Sequence, residues 1–424
     1  MIKKLRTELE KGVGINIISD KRFKSEYLSL SFMTELKSGE NTVSYILPSL
    51  LLRGSEKYPS SLSLGRALQR AYDTELSGES YRMGNAKIVR FGVAFLSEKY
   101  THAPIMEEVL DILRQVVLFP LREKDGSLSE KFTELEKNSV IEIIKTKSNN
   151  KKSYAFSRCR EILLEGDDVG VSKYGTIKDA EALTSEAVSE FYNRMLSNAA
   201  LEFFYEGSKD PREVTELISK AFHEIINPKS TTPCELGKFK APKAVPYSEI
   251  TEESHSEQSI LCMGFETYHA DPNDFSPRLF AEVLSTSPVS RLFMNIREKH
   301  GLCYFCDYSP ISQRDRAIIH AGLEYSKTEE AKNAILEEIQ DLASGNISDY
   351  EFSAAKASLV NAYGGINDSP TSIESWEMAC LLLDKYLTPG EVVEKIELIT
   401  KEDIARVAGA LKLKTVFVLK EECE

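Results

Sequence analysis

The residues best able to hold a catalytic metal are six histidines: His102, His223, His255, His269, His300 and His320. Two imidazoles four residues apart share a helix face and bind one ion together. No two of these histidines are spaced i, i+3 or i, i+4, and neither His-x-x-Glu-His nor His-Glu-x-x-His occurs. An intrinsic zinc hydrolase is therefore not expected. Thiols are the next candidates. Cys303-Tyr304-Phe305-Cys306 has Cys-x-x-Cys spacing, but a structural zinc site takes a second such pair and thiol activation takes a helix N-terminus. The segment reads as a strand, where positions i and i+3 face opposite sides, so two free, buried or half-buried thiols are expected. Arg297 and Tyr304 complete the set. A guanidinium offers a fixed fork of donors with a permanent charge, and a phenol gives one hydrogen bond where an oxyanion develops. Gly301 lies between them and allows a turn. On residue type alone, an ion pair and a half-buried phenol are the commoner roles.

The elements that must position these residues follow from periodicity. Val13–Ser19, Leu28–Phe32, Glu75–Arg82, Lys87–Leu96 and Leu201–Glu206 read as strands. Val43–Leu52 is apolar on most sides, with Gly54 as a helix stop. Helices are predicted over Pro104–Phe119, Ser129–Lys147, Ser153–Leu164, Ser185–Leu196 and Pro211–Ile226. In Ser129–Lys147 the inner residues are Leu135, Val140, Ile141 and Ile144, which leaves Glu136 as a surface or interdomain carboxylate. Residues 227–253 carry Pro228, Pro233, Pro242 and Pro246 with little periodicity and read as a linker. Beyond it come strands at Gln258–Glu266, Leu302–Tyr308, Arg316–Glu324 and Lys414–Lys420. Helices are read at Phe275–Leu284, Pro288–Lys299, Thr328–Ala343 and Ser348–Tyr363. Ser348 with Glu351, and Thr400 with Asp403, are capping boxes. The second half echoes the first. Lys87-Ile-Val-Arg-Phe-Gly-Val93 and Arg316-Ala-Ile-Ile-His-Ala-Gly322, each behind a helix and a strand, lie about 230 residues apart. That offset signals domain duplication rather than a repeat array. The predicted fold is α+β: a half over 1–226, the linker over 227–253 and a homologous half over 254–424. Each half is a mixed, mostly antiparallel sheet packed with helices.

Composition narrows the function classes. The 424 residues hold 53 Lys+Arg against 66 Asp+Glu, a net charge of -13. An acidic chain does not displace counterions from nucleic acid, so no nucleic-acid partner is expected. No apolar run approaches the length of a membrane span, and Ile15–Ile18 is too short for a signal-peptide core. Seven cysteines, an odd number at low density, fit a reducing compartment. The reading is a cytoplasmic protein with no membrane partner.

Two stretches resemble the pitrilysin/insulinase family of zinc metallopeptidases, which includes the mitochondrial processing peptidases. Ser290-Arg291-Leu292-Phe293-Met294-Asn295-Ile296-Arg297-Glu298-Lys299-His300-Gly301-Leu302-Cys303-Tyr304 follows the family's Ser-Arg-Leu-Phe-x-x-Ile-Arg-Glu-x-x-Gly-Leu-x-Tyr nearly letter for letter. Thr42-Val43-Ser44-Tyr45-Ile46-Leu47-Pro48-Ser49-Leu50-Leu51-Leu52-Arg53-Gly54-Ser55 stands where the family reads His-x-x-Glu-His, a hydrophobic turn and a basic-Gly-Thr ending. At the two zinc imidazoles and the catalytic glutamate this chain carries Tyr45, Ser49 and Pro48, and the family's later glutamate ligand aligns with Glu136. One carboxylate does not hold a catalytic zinc, and a proline inside a helix costs about 3 kcal/mol unless the helix kinks or restarts.

The resemblance implies a clamshell of two such chains, or two fused ones, around a chamber. It also implies that Arg297 and Tyr304 bind substrate backbone and stabilise the tetrahedral intermediate. The expectation is a non-catalytic homologue with no cofactor of its own. It would pair with a zinc-bearing peptidase subunit and complete that subunit's site, with a peptide or unfolded polypeptide as substrate. The rival reading is a pure scaffold on the same fold. A stand-alone enzyme using Cys303 and Cys306 is a third.

Overall fold

The computed structural model describes residues 3–101, 103–267, 271 and 273–422. His102 and His269 lie outside the described residues. Six strands make the first sheet: β1 (Lys3–Glu10), β2 (Val13–Ser19), β3 (Ser25–Glu35), β4 (Glu75–Met83), β5 (Ala86–Leu96) and β6 (Ala200–Gly207), in the order β1-β2-β6-β3-β5-β4. Five make the second: β7 (Ser248–Ser254), β8 (Ser259–Glu266), β9 (Phe305–Ile311), β10 (Arg316–Leu323) and β11 (Lys412–Glu421), in the order β7-β11-β8-β10-β9. The pairs β2–β6 and β7–β11 are parallel, and every other neighbouring pair is antiparallel.

Set β1 aside and the two sheets share one diagram. Ranked by chain order, each runs first, fifth, second, fourth, third, with its parallel pair at the same edge. The duplication read from Lys87–Val93 and Arg316–Gly322 is thus a duplication of topology, since those segments are the fourth-ranked strands β5 and β10. The fold is mixed, with helices on two mostly antiparallel sheets, as the irregular alternation of strands and helices predicted. Strands β6 and β10 are buried along their whole length. Neither shows a clean polar–apolar alternation, although β6 buries Glu202 and Glu206 and β10 buries Arg316 and His320.

In the first half, Leu28, Leu30 and Phe32 of β3 join Ile15, Ile17, Leu201 and Phe203 to form one sheet face. The buried Ile46, Leu47 and Leu50 of the Asn41–Leu51 helix and Val109, Leu113 and Val116 of the Ile105–Leu118 helix share their core. In the second half, Leu261, Met263 and Ile319 share a core with Ile335 and Leu342 of the Thr328–Ala343 helix and Ile404 of the Lys401–Gly409 helix.

Two boundaries differ from the sequence reading. The stretch 227–253 contains a one-turn helix, Pro233–Gly237, and most of β7. Because β7 is the first strand of the second sheet, that half begins before residue 254. The chain also divides into Met1–Ile144 with Ser172–Lys238, and Lys145–Val171 with Phe239–Glu424. The Lys151–Leu163 helix is therefore part of the second unit. Its buried stripe Ala155, Cys159 and Leu163 recurs every four residues, and it packs on β8, β10 and β11. A side chain at Gly264 of β8 would come within 3.1 Å of Leu163, so glycine is what lets this helix lie close on the sheet. Periodicity showed the stripe but not which sheet would receive it.

Glycine does the same work in the first unit. Pro48 lies inside the Asn41–Leu51 helix, which continues through it. A Cβ at Gly78 of β4 would meet Pro48 Cβ at 3.0 Å and Leu52 Cδ1 at 3.1 Å. Gly78→Ala is accordingly expected to destabilise by about 1–3 kcal/mol through overpacking. Gly65→Ala, in an open helical position, is expected to stabilise by roughly 0.5–1 kcal/mol. Urea midpoints of the two variants check the opposite signs.

Candidate functional site

Tyr45, Pro48 and Ser49 sit on the Asn41–Leu51 helix, with Tyr45 half-buried, Pro48 buried and Ser49 exposed. The Tyr45 ring meets Tyr174 edge-on, with centroids 4.7 Å apart. Burial, then Tyr174 and the charge of Glu136, push the Tyr45 phenol above its usual range. It stays protonated at neutral pH, whereas a phenol that holds a metal does so as the phenolate.

Glu136 reads from the sequence as a surface or interdomain carboxylate. It is instead buried at 6 % exposure, on the Glu130–Asn149 helix whose buried residues are Thr133, Glu136 and Val140. Leu135, expected inside, is 45 % exposed. Val140, Ile141 and Ile144 face the core as expected, and Glu136 joins them in place of Leu135 because it has a partner that offsets its burial. Arg53 Nε donates to Glu136 Oε1 at 2.7 Å. Arg53 escaped the sequence reading, yet Tyr45, Ser49 and Arg53 follow each other at intervals of four, which is the signal that could have found it.

The site does not fit zinc. It offers a protonated phenol, an imino acid, a hydroxymethyl group, and a carboxylate already bound to a permanent cation. Among the described residues, no group of three His, Cys, Asp or Glu side chains is arranged to hold a metal. Arg53→Ala is expected to cost about 1 kcal/mol, less than a fully buried pair because the guanidinium is 42 % exposed. Adding Glu136→Gln is expected to recover most of that loss, and a double-mutant cycle of chemical denaturation reads it.

The described histidines do not gather. His223 and His255 are exposed beside Glu224 and Glu422, and His300 is exposed after the Leu292–Lys299 helix. His320 on β10 is buried, edge-on to Phe156 at 5.3 Å and Phe305 at 5.8 Å. Its Nε2 is 3.6 Å from Asp307. Burial, seconded by the charge of Lys152 and opposed by Asp307, pushes its imidazole down to about 4. The folded chain therefore holds His320 neutral, while the unfolded chain protonates it below about pH 6.5. This contribution to stability is full above pH 6.5 and is lost as pH falls from 6.5 toward 4, at up to about 1.4 kcal/mol per pH unit. His320→Gln is expected to flatten stability over that window, as measured by urea denaturation across pH.

The second motif divides into two roles. Ser290 is fully buried and its Oγ donates to the Ser285 carbonyl at 2.9 Å. Arg291 is clamped by Glu338 at 3.1 Å, Asp341 at 2.7 Å, Glu351 at 2.5 Å and the Asn346 carbonyl. Leu292 and Ile296 are core. These residues hold the fold. The predicted helix is present over Leu292–Lys299 but is wound as a π-helix, a form enriched at functional sites.

Arg297 and Tyr304 are held differently. The Arg297 guanidinium lies 5.0 Å from the Phe293 ring centroid and 3.5 Å from Glu298, with 45 % of its side chain exposed. The chain turns at Gly301, at φ +60°, whose N–H donates to the Arg297 carbonyl at 3.1 Å. Tyr304 follows with its backbone N–H on the Gly322 carbonyl at 2.7 Å and its side chain 59 % exposed. Strand β9 begins only at Phe305, so Cys303 stands outside it. Cys303 and Cys306 are both buried free thiols, as expected. The neighbouring Cys306 thiol and then the Arg297 charge draw the Cys303 thiol down against burial, and the Cys303 thiol together with burial pushes Cys306 up.

Comparison with known proteins agrees with this geometry. Residues 182–359 match the family model described as the Peptidase M16 inactive domain. A probable inactive metalloprotease, YmfF of Bacillus subtilis, is 24% identical over 416 residues, 96% of either chain. The mitochondrial-processing peptidase subunit beta of Saccharomyces cerevisiae is 24% identical over 293 residues, 63% of each chain. The crystal structure of a conserved protein from Enterococcus faecalis V583 shares the fold with a TM-score of 0.92, at 22% identity and 99% coverage of both chains. The chain is thus similar to M16 peptidase-like proteins of the inactive type, which agrees with the resemblance carried by the two motifs.

Proposed function

We propose that this chain is the non-catalytic member of a peptidase pair. A homologous subunit with an intact zinc motif cleaves the peptide bond, and this chain supplies Arg297 and Tyr304 to the substrate side of that subunit's site. The observation that carries the proposal is the contrast between the two motifs. At the zinc positions the chemistry is gone and the carboxylate is tied to Arg53. In the second motif the clamped Arg291 holds a helix from which Arg297 reaches solvent, and Tyr304 follows it. Similarity to a mitochondrial-processing peptidase subunit supports a peptidase-subunit partner.

The substrate is a peptide or unfolded polypeptide in extended form, and β4 and β9 are sheet edges of the kind that strand addition uses. Zinc belongs to the partner. The setting is the cytoplasm, consistent with the absence, among the described residues, of any helix long and apolar enough to cross a membrane.

The test is reconstitution with a homologue that carries the complete zinc motif. The expected result is that Arg297→Ala lowers kcat/KM of the pair roughly 10- to 100-fold, the worth of one charge-assisted hydrogen bond. Tyr304→Phe is expected to lower it roughly 5- to 10-fold. Unchanged activity of the pair with Arg297→Ala, in a complex that still assembles, favours the scaffold reading instead.

A further inference from the structure

At one end of the second sheet, cationic side chains outnumber the groups that receive them. We infer that Arg160, Arg314 and Arg316, with Lys243 at the rim, form a binding site for an oxyanion of the phosphate class, free or carried as the monoester of a small molecule. All four belong to the second unit. The inference goes beyond the proposed function and does not depend on it.

Register brings the residues together. Phe156 of the Lys151–Leu163 helix lies edge-on to His320 of β10 at 5.3 Å. Further along, Leu163 lies over Gly264 of β8, which pairs with Ile318. The helix therefore runs along β10 from His320 toward Arg316. Arg160 is one turn beyond Phe156 on the same helix face, and Arg316 shares the face of β10 that carries His320. The loop after the helix closes this corner, because Asp167 Oδ2 accepts from Arg314 Nε at 2.5 Å. Lys243 joins from the segment before β7. Its carbonyl accepts from Arg316 Nη2 at 3.5 Å, and its ammonium lies over Gly166, 3.1 Å from where a Cβ would stand.

Charge at this corner is left uncompensated. Arg314 and Arg316 are buried, at 3% and 5% exposure, and a buried cation calls for an acidic or carbonyl partner. The nearby carboxylates are already engaged. Asp167 gives Oδ2 to Arg314 and Oδ1 to the Val169 N–H at 2.8 Å. Glu266, directly across the sheet from Arg316, pairs with Lys414 at 3.3 Å. Asp168 and Asp315 engage other groups. Among the described residues, the side chains of Arg160 and Lys243 form no hydrogen bond or ion pair. Arg316 places Nη1 and Nη2 on the carbonyls of Asp315 and Lys243, and its buried Nε has no acceptor, like that of Arg160. Burial pulls the Arg160 guanidinium below its ordinary range, with Asp167 opposing.

The corner is also open. Lys243 and Gly166 are exposed and Arg160 is half-buried, so a small ion reaches the wall and rim while the two buried arginines form the floor. A guanidinium fork suits two oxygens of one anion, and an ammonium suits a third as a point charge. Donors arriving from a helix, a loop and a strand match the several oxygens of a phosphoryl group better than the two coplanar oxygens of a carboxylate.

The test is calorimetric titration of the purified full-length chain at constant ionic strength, with inorganic phosphate and glycerol 3-phosphate as probes and acetate as control. The expected result is saturable single-site binding of at least one phosphate probe, with acetate roughly 10-fold weaker or worse. Arg160→Gln and Lys243→Ala are each expected to weaken that binding roughly 10- to 100-fold, the worth of one charge-assisted hydrogen bond. Lys178→Ala, an equal change of charge at an exposed position of the first unit, is expected to leave it unchanged. Tighter binding of the free ion or of the ester supports the inference either way and tells which source the site takes. No binding of either probe at about 10 mM, acetate binding as tight as phosphate, or binding that survives both Arg160→Gln and Lys243→Ala overturns it. Neither altered side chain holds another group of the fold, and circular dichroism confirms that the variants fold. Lys243→Ala, at the exposed rim, keeps the test decisive should Arg160→Gln unfold.

Discussion

A carboxylate buried in a protein needs a cation, and the identity of that cation decides what the first half of this chain can be. Glu136 is desolvated on its helix and held by the Arg53 guanidinium. A guanidinium is a fixed, non-exchangeable charge with no vacant position for water. A bound metal would answer the same electrostatic need and would also present an open coordination site. The helix, the sheet and the buried acid are present, but the group that balances the charge does no chemistry. Tyr45 and Pro48 reinforce the outcome. Tyr45 packs on Tyr174, and Pro48 fills the space that Gly78 leaves open. Restoring a metal here would mean repacking an interior as well as replacing ligands.

The second half shows the opposite economy. Most of the second motif is structural. Ser290, Leu292 and Ile296 are buried, and Arg291 satisfies three carboxylates and a carbonyl. Such an investment fixes the π-wound helix and therefore the point from which Arg297 leaves it. A guanidinium with, among the described residues, one weak acidic neighbour at 3.5 Å and an aromatic face beneath it keeps most of its donors available.

How much of this was legible in the sequence follows from whether a feature is local. Strand β2 and the Thr328–Ala343 helix were read with their bounds intact because their periodicity is self-contained. The capping boxes at Ser348 and Thr400 are formed as written, since they involve residues three apart. The misreadings concern partners that a segment's own residues do not reveal. β1 (Lys3–Glu10) has a charged, undistinguished sequence and is a strand because β2 lies beside it. β7 alternates between exposed and half-buried residues in a proline-rich setting, and only its register with β11 makes it part of a sheet. Glu136 could be placed inside only by knowing that Arg53, 83 positions earlier, would meet it. Strand β9 begins three residues later than its composition suggests, which leaves Cys303 outside it.

The Lys151–Leu163 helix carries a consequence for how the molecule comes into being. Its apolar stripe is covered by β8, β10 and β11, and β11 ends about 250 residues downstream. At a synthesis rate of roughly 5–20 residues per second, a nascent chain waits on the order of tens of seconds before the last of that cover emerges from the ribosome. The first sheet is complete at Gly207, long before. The order of birth thus leaves a sticky amphipathic segment attached to an already formed lobe, and the gene's reading direction rather than its thermodynamics sets when a chaperone is most needed.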